Sequence, residues 1–384
     1  MKQQKKKVCF VSGEFFPDVG GLSKAATKIS KMLLDSGFEI YVITPLASTV
    51  TKSTIIPQEM DGLLIYRVPV GKKLRNPSGN PLEKLNGITQ LVKLIRKLDK
   101  QLNFDLFHGF YIPMAYACCL GMNKPHRPLV TSIRGSDAKQ WSDPSMKNLL
   151  RLVLNKTSCL TTVNKMLLSK IMNAGGVNVN SMFIKNSIRL KTDISWNIET
   201  STSGKIGTLG QFQKCKEIDV LLESYSKITT DMRNNLILIG NFPNESLELN
   251  YKNKVDLLKL QKEVTLTGLL NEIGVVQNLS DLNVFVSTSS SEGFPNALLE
   301  AAYLGVPIVV SNFPGIEDYC ENDKNALIVP VGDIKATADA ISSILSNKKL
   351  AMRLSKGAIK LAKTLTPENE KKQWVKLYTD LIEK

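Results

Sequence analysis

Short apolar runs alternate with amphipathic stretches along most of the chain. Residues 8–12, VCFVS, form a valine-rich run of strand length. After the loop GEFFPDVGG, apolar residues recur at Leu22, Ala25, Ala26, Ile29, Met32 and Leu33. That is the spacing of one helix face, and Gly37 supplies a stop. FEIYVIT (38–44) is the next strand, and the unit then repeats. DLFHGF (105–110) and PLVTSI (128–133) read as strands around a helix-like 111–122. CLTTV (159–163) and SMFIKN (181–186) bracket the helix NKMLLSKIMNAG. Residues 190–204 lose the pattern and are rich in Ser and Thr. A second series begins at KIGTLG (205–210) and continues with helix EIDVLLESYSKI, strand NLILIG, helix VDLLKLQKE and strand VTLTG. Helix IGVVQNLS, strand LNVFVS, helix NALLEAAYLG and strands PIVVS and ALIVP follow, and helices fill 335–384.

Alternating strands and helices predict an α/β fold with parallel, doubly wound sheets. The chain reads as two Rossmann-like halves, with ligands expected where strand ends meet loops. The expected boundaries are 1–190, a linker at 191–204, a second domain at 205–365 and a terminal helix at 366–384. A length of 384 residues favours two domains, and 43% apolar residues allow large cores. The longest apolar runs, such as 111–122, fall short of the ~20 residues that cross a bilayer. The apolar part of the N-terminus is too short for a signal peptide, so a cytoplasmic place is expected. Six cysteines without a C-x-x-C pair and only two histidines make a zinc site or a disulfide framework a poor reading. Buried thiols are the better one.

Charge adds a partner class. Residues 1–200 carry a net +16, residues 201–350 carry −5 and residues 351–384 carry +4, within a total of +15. A basic half calls for an anionic partner or is a solvated surface. No aromatic residues interleave the basic runs, so nucleic acid is not expected.

Four motifs can carry chemistry, each with a plain competitor. Gly20-Gly21 before a helix allows close approach of backbone to an anion, or only a tight turn. LGQFQKCKEIDVLL (209–222) places Lys214 and Lys216 after a strand, to face a diphosphate or merely water. Arg134-Gly135-Ser136-Asp137 follows another strand, as a polar grip or an Asp turn. The fourth is SSSEGFPNALLE, a Ser-rich loop leading into a helix with Pro295 expected at its first position. Free amides of Asn296, Ala297 and Leu298 would then lie between Glu292 and Glu300. Amides prefer anions, so the carboxylates suit sugar hydroxyls better than a metal. An anion flanked by hydroxyls describes a sugar nucleotide.

These residues resemble a family over nearly the whole length: the GT-B glycosyltransferases of family 4, the retaining glycosyl transferases group 1. The most specific element is E-x7-E, here EGFPNALLE (292–300). Around it the order FFPDVGGLSKAATK, DLFHGF, RGSD, FIKNSI, LGQFQKCKEIDVLLES, LILIGN, VTLTGLLNE and GVPIVVSNFPGIEDYC is kept. The resemblance implies two Rossmann-like domains facing a central cleft, with the terminal helix packing back on the first. It implies that Glu292 meets donor-sugar hydroxyls, that Gly293, Phe294, Pro295, Asn296 and Ala297 wrap sugar and diphosphate, and that Glu300 holds the ribose. Lys216 matches the diphosphate lysine, with Gln211 and Lys214 beside it. Gly20 and Gly21 lie over phosphate and acceptor, and Gly268 and Leu269 lie by the base. Arg134 and Asp137 join Glu292 and Lys216 as catalytic residues. Phe16, His108 and Arg134 face the acceptor.

The implied donor is a UDP- or GDP-sugar, with no metal and no other cofactor. The implied acceptor is a saccharide, lipid-linked or other, in cell-surface polysaccharide or glycoconjugate synthesis. A peripheral place on the inner face of an anionic membrane follows from the basic acceptor half. Three departures stand out: Gln211 where the family has Arg, Glu217 where it has Gly, and Arg134 where many members have His. Arg is no general base at neutral pH but can neutralise phosphate charge. Two other readings follow from the departures and the shared fold, a non-hydrolysing sugar-nucleotide epimerase and an inactive nucleotide-sugar-binding partner.

Overall fold

The computed structural model describes residues 5–18, 21–46, 57–69, 81–135, 143–188, 190, 192, 196 and 204–384, without the side chains of 81–86 and 145. The chain divides into two compact units, Met1–Asn186 with Glu368–Lys384, and Ser187–Pro367.

The first unit opens with β1 (Lys7–Ser12), α1 (Gly21–Leu34) and β2 (Glu39–Leu46). It continues with β3 (Gln58–Met60), β4 (Leu63–Pro69), α2 (Pro81–Leu102), β5 (Leu106–Phe110) and α3 (Ile112–Gly121). Then come β6 (Leu129–Ile133), α4 (Lys147–Lys156), β7 (Cys159–Thr162), α5 (Lys165–Gly175) and β8 (Ser181–Phe183). Its sheet runs β3-β4-β2-β1-β5-β6-β7-β8, parallel except for the β3–β4 hairpin. That hairpin turns at Asp61-Gly62, both with positive φ, the residue pair such turns favour. The hairpin, α2 and α4 are elements the hydrophobic pattern did not single out.

Alternation along β1 separates two cores. Val8 and Phe10 pack with Ile29 of α1 and with Trp374, Leu377 and Tyr378 of the last helix, α12 (Pro367–Ile382). Cys9 and Val11 pack on the other face with Leu94 and Leu98 of α2 and Met114 of α3. The same face continues through Leu150 of α4 and Ile171 of α5.

The second unit comprises β9 (Ile206–Gln211), α6 (Ile218–Lys227), β10 (Leu236–Asn241), α7 (Glu245–Leu257), β11 (Val264–Leu266) and α8 (Glu272–Ser280). It ends with β12 (Val284–Ser287), α9 (Asn296–Leu304), β13 (Ile308–Ser311), β14 (Leu327–Val329), α10 (Ile334–Ser346) and α11 (Lys348–Ala362). The sheet order is β11-β10-β9-β12-β13-β14, and every pairing is parallel. Trp196, within the polar stretch 190–204, packs against this unit's core and donates its indole N–H to the Leu282 carbonyl at 2.8 Å.

One helix departs from its expected place. The leucines of VDLLKLQKE suggested a helix over 255–263, yet α7 occupies Glu245–Leu257. Asn244 caps its start by accepting from Leu247 N–H, and Glu245 and Glu248 suit the positive end of the helix dipole. The left-handed Lys259 (φ 56) prevents continuation, and Leu257 is left 74% exposed.

All six cysteines are free, and four are buried. Among the described residues, no helix is long and apolar enough to cross a membrane.

Three glycines thread the carboxyl edge of the second sheet. A Cβ on Gly240 (φ 133) would lie 1.9 Å from the Gly210 carbonyl oxygen. Gly240 also bridges to Gly268. Gly240→Ala is therefore expected to destabilise the protein by about 2–4 kcal/mol, because both the contact and the φ oppose it. Urea unfolding of the variant checks this, and an unchanged midpoint contradicts it.

Candidate functional site

The sheet order of the second unit reverses between β9 and β12, the first strand of the unit and its neighbour on the other side. The loops leaving two such strands splay to opposite faces and open a crevice, the switch point where α/β sheets place ligands. Here those loops carry LGQFQKCKE and SSSEGFPN.

After β9, buried Phe212 turns the chain into a 3₁₀ turn, Lys214–Lys216, and α6 begins beyond Glu217. Glu217 is left-handed (φ 49, ψ 48), the conformation that a glycine takes without strain. The loop after β12 is laced to this turn. Ser290 N–H donates to the Cys215 carbonyl at 2.8 Å. Thr288 Oγ1 donates to the carbonyls of Lys216 and Glu217 at 2.9 and 3.1 Å.

The lacing sets two charges in contact. Lys216 Nζ lies 2.6 Å from Glu292 Oε1, and both side chains are mostly buried, 21% and 13% exposed. Ser289 Oγ donates to the same oxygen at 2.7 Å. Ser289 is itself held through its carbonyl by the Ser311 hydroxyl. The stem of Lys216 passes over Gly210, where a Cβ would lie 3.6 Å from Cε.

Phe294 is buried edge-on against Tyr319 at 5.4 Å, which anchors the loop beside Gly293. Pro295 does not take the first helical position as expected. It is the N-cap of α9 (φ −81, ψ 62), because the helix begins at Asn296. Asn296 N–H is not free either, since it donates to the Phe294 carbonyl at 2.9 Å. The amides of Ala297 and Leu298 precede the first helical bond, from Leu299 N–H to the Pro295 carbonyl at 3.1 Å. Glu300 stands half-buried in the second turn.

Gln211 and Lys214 are exposed, and Gln211 accepts from Gln213 Nε2 at 3.2 Å. Gly268 (φ 70) and Leu269, 79% exposed, follow β11 at the same edge of the sheet. The structure thus joins Lys216, Glu292 and Ser289 directly, and links Gly210 to Gly240 and Gly268 through the backbone. Ser289 was not singled out from the sequence, although its place three residues before Glu292 was a usable signal.

The other expected positions lie in the first unit. Gly21 opens α1, while Gly20 and Asp137 fall outside the described residues. Phe16 is exposed, and its N–H donates to Thr27 Oγ1 at 3.3 Å. Arg134 follows β6 with its guanidinium 4.5 Å from the Phe110 ring and 5.8 Å from the Trp374 ring. Its Nη1 donates to Asn186 Oδ1 at 3.1 Å.

His108 is not on an acceptor-facing surface. It is fully buried, with Nδ1 2.5 Å from the Tyr378 hydroxyl and Nε2 2.7 Å from Ser132 Oγ. Burial first, then the nearby Arg134 charge, holds its pKa well below the usual histidine range. A neutral imidazole occupied at both nitrogens is a core group, on a strand whose five residues are all buried. Lys28 of α1 pairs with buried Glu370 of α12 at 2.6 Å, and burial lowers its pKa despite that partner. Among the described residues, no group of three or more His, Cys, Asp and Glu comes together to hold a metal ion.

Comparison with known proteins agrees with this frame. Residues 192–361 match the family model described as glycosyl transferases group 1. Residues 19–190 match that of glycosyltransferase family 4. N-acetyl-alpha-D-glucosaminyl L-malate synthase of Bacillus anthracis is 26% identical over 356 residues, 89% of each chain. An Escherichia coli UDP-Gal:alpha-D-GlcNAc-diphosphoundecaprenol alpha-1,3-galactosyltransferase is 33% identical over 103 residues, 27% of this chain and 26% of that one. The structure of Anabaena Alr3699/HepE in complex with UDP superposes with a TM-score of 0.75 at 14% identity, covering 97% of this chain and 100% of that one.

Proposed function

We propose, from the premise that the chain belongs to the group 1, family 4 glycosyltransferases and is a GT-B glycosyltransferase, that it moves a hexosyl unit with retention from a UDP- or GDP-sugar to a saccharide or lipid-linked acceptor. The setting is cell-surface polysaccharide or glycoconjugate synthesis, with the protein peripheral on the inner face of a membrane. The observation that carries the reading is the mostly buried Lys216–Glu292 pair at the switch point of the second sheet.

Each residue has a part in that chemistry. When the bond from the anomeric carbon to the diphosphate breaks, negative charge grows on the departing oxygens. The amides of Ala297 and Leu298 are preorganised donors for that charge, Lys216 joins them once the diphosphate draws it from Glu292, and such donors act most strongly where water is excluded. Glu292 accepts hydroxyls of the donor sugar, and Glu300 accepts those of the ribose. Gly268 and Leu269 border the base. Gln211 and Lys214 lie along the diphosphate, with Lys214 supplying a second cation. Arg134 and Asp137 serve the acceptor half together with Phe16, Gly20 and Gly21. No metal is needed in this scheme, because cationic side chains and amides meet the leaving group.

The relatives support the substrate class. One is named for a UDP-galactose donor and a diphosphoundecaprenol-linked acceptor, another for an L-malate acceptor, and a structural neighbour holds UDP. Both named acceptors are anionic, in keeping with a first half that carries net +16.

Thermal-shift titration with UDP-, GDP-, ADP- and dTDP-sugars, followed by assay of released nucleoside diphosphate, tests the reading. A donor at a hundred times its Kd should stabilise the fold by about 2.7 kcal/mol. If no donor is bound or cleaved, even slowly, the reading is lost. Glu300→Ala should weaken nucleotide binding by about 1–3 kcal/mol, the loss of a buried hydrogen-bond partner. Titration calorimetry with UDP or GDP measures it, and an unchanged affinity removes Glu300 from the ribose.

A further inference from the structure

β6 ends at Ile133, and Arg134 is the first residue beyond it, at a position where many members of the family have His. An arginine carries its charge at the end of a long side chain that has much rotamer freedom to lose. Phe110, Trp374 and Asn186 restrain it here. The two rings lie 4.5 and 5.8 Å from the guanidinium. Attraction between a cation and a ring face is loose in direction. The rings therefore keep the group in place without choosing which way its N–H groups point.

A hydrogen bond does choose. Asn186 Oδ1 accepts from Arg134 Nη1 at 3.1 Å. The five N–H donors of a guanidinium are fixed in one plane, so a bond at Nη1 sets the direction of the others.

Asn186 is itself held firmly, and it is 8% exposed. Two residues before it, Ile184 N–H donates to the Thr162 carbonyl at the end of β7, at 2.9 Å. Two residues after it, Ile188 N–H donates to the Leu365 carbonyl, also at 2.9 Å. Both isoleucines are buried. The Asn186 amide is neutral as well. A carboxylate in its place would bind the guanidinium more strongly but would set a negative charge against it.

We propose that Asn186 is a positioning residue, a neutral acceptor that aims the Arg134 guanidinium without adding negative charge beside it. Its role rests on the acceptor-side part given to Arg134 in the proposed function.

Three variants and two readouts test this. Asn186→Ala should lower kcat by about 10–100-fold and leave the KM for the donor at the parent value. Asn186→Asp keeps the hydrogen bond, so it should fold as the parent does, yet its kcat should fall as well. Arg134→Met should lose transfer, and adding Asn186→Ala to it should lower transfer no further, as expected of two residues that act as one. The second readout needs no substrate. In protein with ¹⁵N-labelled arginine, the Arg134 side-chain signals, assigned by their loss in Arg134→Met, should be resolved in the parent and in Asn186→Asp. In Asn186→Ala they should broaden as the guanidinium rotates.

Parent-level kcat in Asn186→Ala or Asn186→Asp, a further loss in the double variant, or unchanged Arg134 signals in Asn186→Ala each overturns the proposal. Full transfer by Arg134→Met removes the part given to Arg134, and the role of Asn186 with it. No transfer by the parent, with the Arg134 signals broadened in Asn186→Ala, removes the transferase reading and leaves Asn186 as the residue that aims Arg134.

Discussion

Glu292→Gln is expected to lower sugar transfer by about 10²–10³-fold while tightening the binding of free UDP or GDP. The two effects have opposite signs because, in the proposed scheme, Glu292 has two partners in turn. Before donor arrives, its Oε1 lies 2.6 Å from Lys216 Nζ and accepts from Ser289. Both charges are mostly shielded from water, so the attraction is only weakly screened. A diphosphate must draw Lys216 away from this carboxylate, and a neutral amide no longer competes. A charge-assisted hydrogen bond is worth about 1.5–3 kcal/mol, and part of that should appear as tighter nucleotide binding, roughly 5–10-fold. Transfer falls because the amide cannot hold the sugar hydroxyls as a carboxylate does. Lys216→Met should weaken both binding and transfer. Calorimetric titration with the free nucleotide, beside a product assay, separates the cases. If Glu292→Gln loses as much nucleotide affinity as Lys216→Met, the competition is not real.

Trp374→Ala is expected to cost about 3–5 kcal/mol of stability, the price of truncating a fully buried indole. Trp374 lies between α12 and the first sheet, tilted on His108 at 5.6 Å and packed in the core with Phe10 and Phe110. It also gives Arg134 the second of its two rings, at 5.8 Å. Truncation should therefore lower kcat more than nucleotide affinity, since Arg134 loses a support while Lys216 and Glu292 do not. At about 2–4 °C per kcal/mol, calorimetry should record a fall in Tm of roughly 6–20 °C. Trp374→Phe, which keeps a ring over Arg134, should recover much of both losses. A Tm within a degree or so of the parent for Trp374→Ala would mean that α12 contributes little to the first unit's core.

Most of the elements of this fold were visible in the periodicity, and the misses have local causes. α7 was displaced because its leucine-rich end looked more helical than its polar beginning. The backbone followed the Asn244 cap and the left-handed Lys259 instead. Pro295 fell one place outside its helix because the loop bonds through Phe294 before α9 starts. His108 was placed on the acceptor side by the family resemblance, although its position on a buried strand argued for the interior.

The sequence by itself determined most of the strands and helices, the alternation that makes most strand pairs parallel, and the two glutamates eight positions apart that flank the loop before α9. These are local properties, carried by side-chain period, glycine placement and capping. Only the tertiary structure decided that Lys216 and Glu292, 76 positions apart, share a hydrogen bond. It alone showed that Tyr378 reaches His108 across 270 positions. Such contacts depend on which strands become neighbours and on where the last helix returns. Strand order is set by the burial of whole faces against one another, so no window of the chain contains it.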